Sequence, residues 1–298
     1  MKEVIVITGS SGNLAGFLCD YLSKEYEVRC LTTKKKLVDK VSNFFWDVEK
    51  EYIDIDVFDN CIYIIHLAGY SILNRWTQKN KIEMYNSRVK STQLLFDVCN
   101  NINIKPQAFI CASASGIYKS SSQRINEGSP KGDDWLARMA VDWENTANKF
   151  NQLGSRVVNM RISLIFSVKG GFLKYNLLGM KYGVGAILGD SRRNINWMHI
   201  EDISRFTIES LKNKSFIGPY NLAVDESVSQ KGFLKLIRKY LFPYALIIKI
   251  PAFFVRLILG QRSQIILTDI NLDTKKIKES GFKLKFPDLR SMIDDISD

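Results

Sequence analysis

The chain has 298 residues, 46% hydrophobic and 24% charged, a balance that excludes an intrinsically disordered protein and leaves ample material for a core. At roughly 150 residues per domain, the length suggests about two domains or one large α/β unit. The net charge of +11 suits an anionic ligand, nucleic acid or an acidic surface, but no helix-turn-helix, zinc-finger or RNP pattern accompanies it, so no nucleic-acid partner is expected.

Apolar runs of strand length at 4–8, 28–33, 44–47, 62–68, 108–113 and 157–166 alternate with segments of helical periodicity at 14–25, 77–101 and 133–153. That alternation predicts a Rossmann-like α/β fold, a doubly wound parallel sheet with crossover helices. After Phe166 the texture changes to a glycine-rich stretch holding Gly170, Gly171, Gly179, Gly183, Gly185 and Gly189, which reads as a mobile loop over a binding site. A helix from Glu201, a strand at 220–224, a helix at 229–241 and short helices near Phe253, Thr274 and Leu289 follow. The expected organisation is a nucleotide-binding domain at 1–166 and a smaller C-terminal substrate lobe at 167–298, partly interleaved.

Five cysteines without a C-x-x-C pair, and only two histidines, argue against a disulfide framework and against a metal site. The opening MKEVIVITG lacks the features of a secretory signal. The longest apolar stretch, 244–259, is interrupted by Lys249, Pro251 and Arg256, so it is too short and too charged for a membrane span. The expectation is a cytoplasmic protein with no membrane partner, monomeric or homodimeric.

The turn Thr8-Gly9-Ser10-Ser11-Gly12-Asn13-Leu14 follows an apolar strand and opens a helix. Glycines there allow a tight turn and a close approach of backbone to a pyrophosphate, which marks a dinucleotide site. Cofactor contacts are expected at Thr8, Gly9, Ser11, Gly12, Asn13 and Leu14. The second strand ends in Thr33-Lys34-Lys35-Lys36 with no carboxylate before Asp39. Cations at that position accommodate a ribose 2′-phosphate, so Thr33, Lys34 and Lys35 favour NADP(H) over NAD(H).

The segments TGSSGNLAG, FFWDVEK, IIHLAG, LNRWT, NSRVKST, ASASGIY, GDDWLARMAVDWE, MRISLIF, KGGFL, INWMHIED and IGPYNLA, in this order, resemble the extended short-chain dehydrogenase/reductase superfamily. More narrowly they resemble its YfcH-like epimerase family, of SDR39U type, with a C-terminal DUF1731 segment similar to the tail from Pro251 to Leu289. The resemblance covers essentially the whole chain. It implies an NADP(H)-binding Rossmann fold, with Asp47 near the adenine and Leu67, Ala68 and Gly69 along the ribose.

The chain departs from the superfamily where proton transfer takes place. The usual Tyr, with Lys four residues later, is replaced by Trp135 and Met139, and neither side chain transfers a proton. The remaining candidates are Ser113 at a strand end, which also counts among the cofactor contacts, Tyr118 as a displaced acid, and Arg88 as a holder of an anionic group. His199 in WMHIED is read as structural or as supporting the substrate pocket from behind, and His66 as a core histidine. The expected function is an NADP(H)-dependent oxidoreductase or epimerase-like enzyme acting on an unidentified carbonyl or sugar-like small molecule. The alternative is a catalytically weak NADPH-binding sensor.

Overall fold

The computed structural model describes residues 2–33, 41–121, 123–226 and 228–297. In chain order the elements are β1 (Val4–Thr8), α1 (Asn13–Leu22), β2 (Glu27–Thr32), β3 (Ser42–Asp47), β4 (Tyr52–Ile53), β5 (Cys61–His66), α2 (Gln78–Tyr85), α3 (Ser91–Asn101), β6 (Ala108–Ala114), β7 (Arg124–Ile125), α4 (Trp135–Ala147), β8 (Arg156–Ile162) and β9 (Leu164–Phe166). There follow α5 (Gly171–Lys181), β10 (Val184–Leu188), β11 (Asn194–Ile195), β12 (Trp197–His199), α6 (Ile200–Lys212), β13 (Gly218–Leu222), β14 (Val228–Ser229), α7 (Gln230–Tyr240), β15 (Leu246–Ile250), α8 (Ala252–Leu259), α9 (Ser263–Leu267), β16 (Asn271–Leu272), α10 (Lys275–Glu279) and α11 (Leu289–Ser297). Two compact units divide the chain: Met1–Ile117, Asp134–Arg161 and Ser204–Tyr220 form the first, and Tyr118–Asp133, Ile162–Ile203 and Asn221–Asp298 the second.

The first unit is built on an eight-stranded sheet of order β13-β8-β6-β5-β1-β2-β3-β4. Every residue of β1 is buried, as expected of a parallel strand covered by helices on both faces. β1 pairs in parallel with β2 on one side and β5 on the other. Successive crossovers therefore leave β1 in opposite directions, opening a crevice at the carboxyl ends of β1 and β5. Phe109 and Phe150 stack with ring centroids 3.8 Å apart in a core that includes Ile64, Leu95 and Trp143.

Two helices of this unit start with side-chain caps. Thr77 accepts from the Asn80 N–H before α2, and Asp134 accepts from the Ala137 N–H before α4, each satisfying a first-turn donor. The long helix expected at 77–101 is interrupted: a π-helical turn at Asn86–Lys90 separates α2 from α3. The extra residue in such a turn shifts the side chains that follow it, a distortion frequent at functional sites, and Arg88 lies within it.

In the second unit the glycine-rich stretch is a helix and a strand, α5 and β10, where a loop was expected. Its glycines serve close packing. A Cβ on Gly185 would meet the Met180 sulfur at 2.3 Å, and one on Gly179 would meet the Val184 carbonyl at 2.9 Å, so their absence lets α5 lie directly on β10. Gly183, at φ +93°, turns the chain between them. β10 pairs in parallel with β15, a strand that the lysine within Leu246–Ile250 disguises in the sequence. The core gathers Phe166, Trp197, Phe233, Ile237 and Met292. Among the described residues no helix is long and apolar enough to cross a membrane.

The WMHIED segment fastens the C-terminal region of this unit. The Asp202 carboxylate accepts from the backbone N–H groups of Lys285 (2.7 Å) and Phe286 (2.9 Å), and Glu201 pairs with the Lys285 ammonium at 2.9 Å. The His199 ring lies 4.0 Å from the Phe286 ring, centroid to centroid, and accepts from the Glu201 N–H at Nδ1. Burial pushes its pKa down, opposed by the nearby Asp295 carboxylate. These contacts hold the His199 ring against the C-terminal tail.

Candidate functional site

The carboxyl ends of β1 and β5 are joined by a closed chain of hydrogen bonds. The backbone N–H groups of Leu67 and Ala68 both donate to Thr8 Oγ1, each at 3.0 Å. With its oxygen so occupied, the Thr8 hydroxyl donates its own proton to His66 Nδ1 at 2.8 Å. The histidine proton must then sit on Nε2, which faces Ser91 Oγ at 3.2 Å, and Ser91 donates onward to the Ser87 carbonyl at 2.8 Å. Complete burial pushes the His66 pKa down to about 3, so the ring is neutral at physiological pH and held in one tautomer.

This network fixes the floor on which the glycine turn rests. Gly9 has φ +73°, and a Cβ there would lie 2.8 Å from the Leu67 carbonyl and 2.9 Å from the Ala68 nitrogen, so no other residue fits. The Gly12 N–H donates to the Gly9 carbonyl at 2.9 Å, and Gly12 opens α1 with no side-chain cap. Ser11, Gly12 and Asn13 are exposed, and Leu14 is buried beneath them. The result is a helix N-terminus whose backbone donors and positive dipole end face outward, a ready anion site.

Thr33 is exposed just beyond β2, while Lys34 and Lys35 lie outside the described residues. Asp47 ends β3, and its carboxylate accepts from the N–H groups of Glu49 and Lys50 at 3.1 and 3.2 Å. The Lys50 backbone bond leads in holding its pKa below the usual range. Leu67, Ala68 and Gly69 form the turn after β5. A Cβ on Gly69 would meet the Arg88 guanidinium at 2.9 Å, which brings that cation to the same rim.

Arg88 is held by backbone carbonyls. Its Nη1 donates to Tyr70 O (3.0 Å) and Met84 O (3.1 Å), and the guanidinium lies 5.4 Å from the centroid of the Trp143 ring. Burial pushes its pKa down to about 10. Among the described residues no carboxylate pairs with it. A cation taken out of water without a counter-ion is costly and well suited to receive an anionic ligand.

Ser113, near the end of β6, donates to Glu144 Oε1 at 2.7 Å. The same carboxylate takes two bonds from Arg161, Nε at 2.8 Å and Nη2 at 2.7 Å, with both partners buried. The Glu144–Arg161 pair escaped the sequence reading. Its signal was a carboxylate on the apolar face of α4 and an arginine inside an apolar strand, each unexplained without the other. Met139 is buried on the same helix. Trp135, at the first position of α4, lies 5.4 Å from the Trp76 ring, with the Lys81 ammonium 5.2 Å from its centroid. Tyr118 belongs to the second unit, where it is buried, its hydroxyl donates to Asn221 Oδ1 at 2.6 Å, and Lys131 lies over its ring. Among the described residues no cluster of three or more His, Cys, Asp or Glu is placed to hold a metal ion.

Strand order, crevice and glycine turn together define a Rossmann-type dinucleotide-binding fold. The chain belongs to the NAD dependent epimerase/dehydratase family, whose model matches residues 5–223, and a domain of unknown function, DUF1731, matches residues 250–296. It is 32% identical over 307 residues to an epimerase family protein of Staphylococcus epidermidis and 31% identical over 304 residues to one of Staphylococcus aureus, covering 99% of each chain. Among solved structures it is similar to the human epimerase family protein SDR39U1 with NADPH, at a TM-score of 0.86, 22% identity and 98% coverage of both chains. It is also similar to the UDP-glucuronic acid 4-epimerase of Bacillus cereus in complex with UDP-glucuronic acid and NAD, at 0.77, 16% and coverage of 95% and 94%. At these identities the likeness to the solved structures is one of fold.

Proposed function

We propose that the chain binds NADP(H) across the ends of β1 and β5 and acts as an oxidoreductase on an unidentified carbonyl or sugar-like small molecule. The observation that carries this reading is the Gly9 turn, pressed against Leu67 and Ala68 where a Cβ has no room, together with the uncapped N-terminus of α1 beside it. The human relative solved with NADPH supports the choice of cofactor. Gly9, Ser11, Gly12, Asn13 and the start of α1 would hold the pyrophosphate, Leu67 to Gly69 the ribose, Asp47 the adenine end, and Thr33, Lys34 and Lys35 the 2′-phosphate. When bound, the nicotinamide supplies the hydride.

The protein's own residues then bind and orient. Arg88 offers its unpaired charge to an anionic group of the ligand. Water, Ser113 or Tyr118 would supply the proton for the substrate oxygen, since neither the Trp135 indole nor the Met139 thioether is an acid that can transfer one. Both hydroxyls already donate, to Glu144 and to Asn221, so each would have to break a hydrogen bond to a buried acceptor first, and turnover is slow. That commitment favours the second reading, a sensor that keeps the nucleotide site with little chemistry. The protein works in the cytoplasm as a monomer or homodimer, with no nucleic-acid partner.

Titration calorimetry with NADPH and NADH, followed by NADPH oxidation against a panel of carbonyl compounds, tests both readings. Tight NADPH binding with slow oxidation supports the enzyme, and tight binding with none supports the sensor. No NADPH binding overturns both.

A further inference from the structure

The second unit presents an apolar surface that nothing in the cofactor reading uses. On α8, Phe253, Phe254, Leu257 and Ile258 are 67%, 51%, 70% and 72% exposed, and only Val255 is buried. At 100° per residue those four side chains span one continuous arc, bordered by Arg256. The amphipathic order is reversed, with the apolar stripe facing solvent. The exposed surface continues backward along the chain through Leu246 and Ile248 of β15 and Tyr244. It passes to α5 where the Leu246 N–H donates to the Gly183 carbonyl and the Tyr244 hydroxyl to the Lys181 carbonyl. Monomeric proteins rarely leave so large an apolar patch in water unless something covers it.

The chain segments that build this surface are rich in cations, although Asp190 lies near enough to Lys249 to interact with its charge. Residues 227–268 carry seven lysines and arginines and no aspartate or glutamate, and residues 167–189 carry three lysines and no acid. These stretches hold α5, β10, α7, β15, α8 and α9. A second copy docked through the same face would bring these like charges together with few acids to offset them. A polyanion such as DNA would match the charge but leave Phe253, Phe254, Leu257 and Ile258 in water. An anionic lipid surface satisfies both features, since headgroups attract the cations and the acyl boundary accepts a helix lying in the plane with its apolar arc inward.

We propose that α8 and the adjoining end of β15 dock the protein on anionic membranes as an interfacial anchor. Phe253, Phe254, Leu257 and Ile258 enter the acyl boundary, and Lys249 and Arg256 meet the headgroups. The expectation of no membrane partner rested on the absence of a spanning segment, and an interfacial helix needs none.

The test uses the full chain and flotation with vesicles of phosphatidylcholine alone or of three parts phosphatidylcholine to one part phosphatidylglycerol. Binding is expected to the anionic vesicles only and to weaken as salt is raised. Phe253→Ser with Leu257→Ser should weaken binding at least about ten-fold, and Lys249→Glu with Arg256→Glu should do the same. All four positions are solvent-facing, and an unchanged thermal midpoint checks that the variants are folded. No flotation with anionic vesicles, equal flotation with neutral ones, or full binding by the Ser pair overturns the proposal. So does a dimer, or binding to random duplex DNA, that the Ser pair abolishes, because the face would then belong to that partner.

Discussion

The ion pair beneath Ser113 allows the sharpest test of the first unit's structure. Glu144 receives three short hydrogen bonds, two from Arg161 and one from Ser113, and the side chains of Glu144 and Arg161 are 9% and 3% exposed. Arg161→Met leaves the buried carboxylate without its cation, and Glu144→Leu leaves the buried guanidinium without its carboxylate. Removing one partner of such a pair costs about 3–5 kcal/mol, whereas replacing both with apolar residues of similar size is often near neutral. At about 2–4 °C per kcal/mol for large domains, each single variant should lower the thermal midpoint by roughly 6–20 °C. The double variant should recover most of that loss, short of about 1 kcal/mol for the acceptor that Ser113 loses. Differential scanning calorimetry of the four proteins measures the cycle. A double variant as unstable as the sum of the two singles would show that Glu144 and Arg161 act independently and would refute the reasoning.

Other consequences follow from the cofactor crevice. Gly9→Ala combines a left-handed φ with a Cβ 2.8 Å from the Leu67 backbone, so it should lower stability by at least about 1–3 kcal/mol and abolish NADPH binding. Gly12→Val, at an ordinary φ of −84° with its nearest atom at 3.2 Å, should stay folded by circular dichroism yet fail to bind; normal calorimetric binding by either variant argues against the site. NADPH should bind more tightly than NADH by about 1–3 kcal/mol, and Lys34→Glu with Lys35→Glu should remove that preference. His66 has a folded pKa of about 3 against an unfolded value near 6.5, so between those values the unfolded chain binds the extra proton. Stability contributed by the neutral ring is therefore full above about pH 6.5 and lost progressively as pH falls towards 3. A His66→Gln variant with the same acid slope in urea titrations would contradict this.

Much of the first unit was legible in the sequence because its strands are continuous apolar runs between helical periods, and each buried strand admits one reading. The glycine turn was legible for the same kind of reason, since Gly9 stands where a left-handed φ and the Leu67 backbone leave no room for a side chain. The interruption at Asn86–Lys90 was not, because a π turn differs from an α turn by one residue and leaves the apolar pattern nearly intact. Gly179 and Gly185 misled more directly. Glycine signals either freedom or closeness, and here α5 and β10 approach until only a hydrogen fits between them. β15 and its pairing with β10 were hidden because a strand bearing Lys249 beside a proline resembles a break. The partnerships of Ser113 and Tyr118 depend on residues 31 and 103 positions away, a separation that local pattern does not reach.

The sequence resemblance sets Trp135 and Met139 where relatives carry the Tyr and Lys pair, and their surroundings give that expectation a physical consequence. An epimerase of the usual kind needs a base that takes a proton from a sugar hydroxyl, and such a group contributes roughly 100-fold to 10,000-fold in rate. His66 is unsuited to that task, being fully buried, neutral and tied at both nitrogens, and Arg88 at about 10 keeps its proton at physiological pH. No appreciable epimerisation of UDP-glucose or UDP-galactose is therefore expected. Restoring the pair by Trp135→Tyr with Met139→Lys should not create it. Position 139 is 4% exposed, so a lysine there would be desolvated and its pKa driven down, weakening the charge that is meant to activate the tyrosine. Position 135 is also packed beside Trp76 and Lys81, which a smaller phenol would leave incompletely filled. Chromatographic assay of UDP-galactose formation from UDP-glucose measures this directly. Robust turnover by the unmodified protein would show that a base outside these residues carries the reaction.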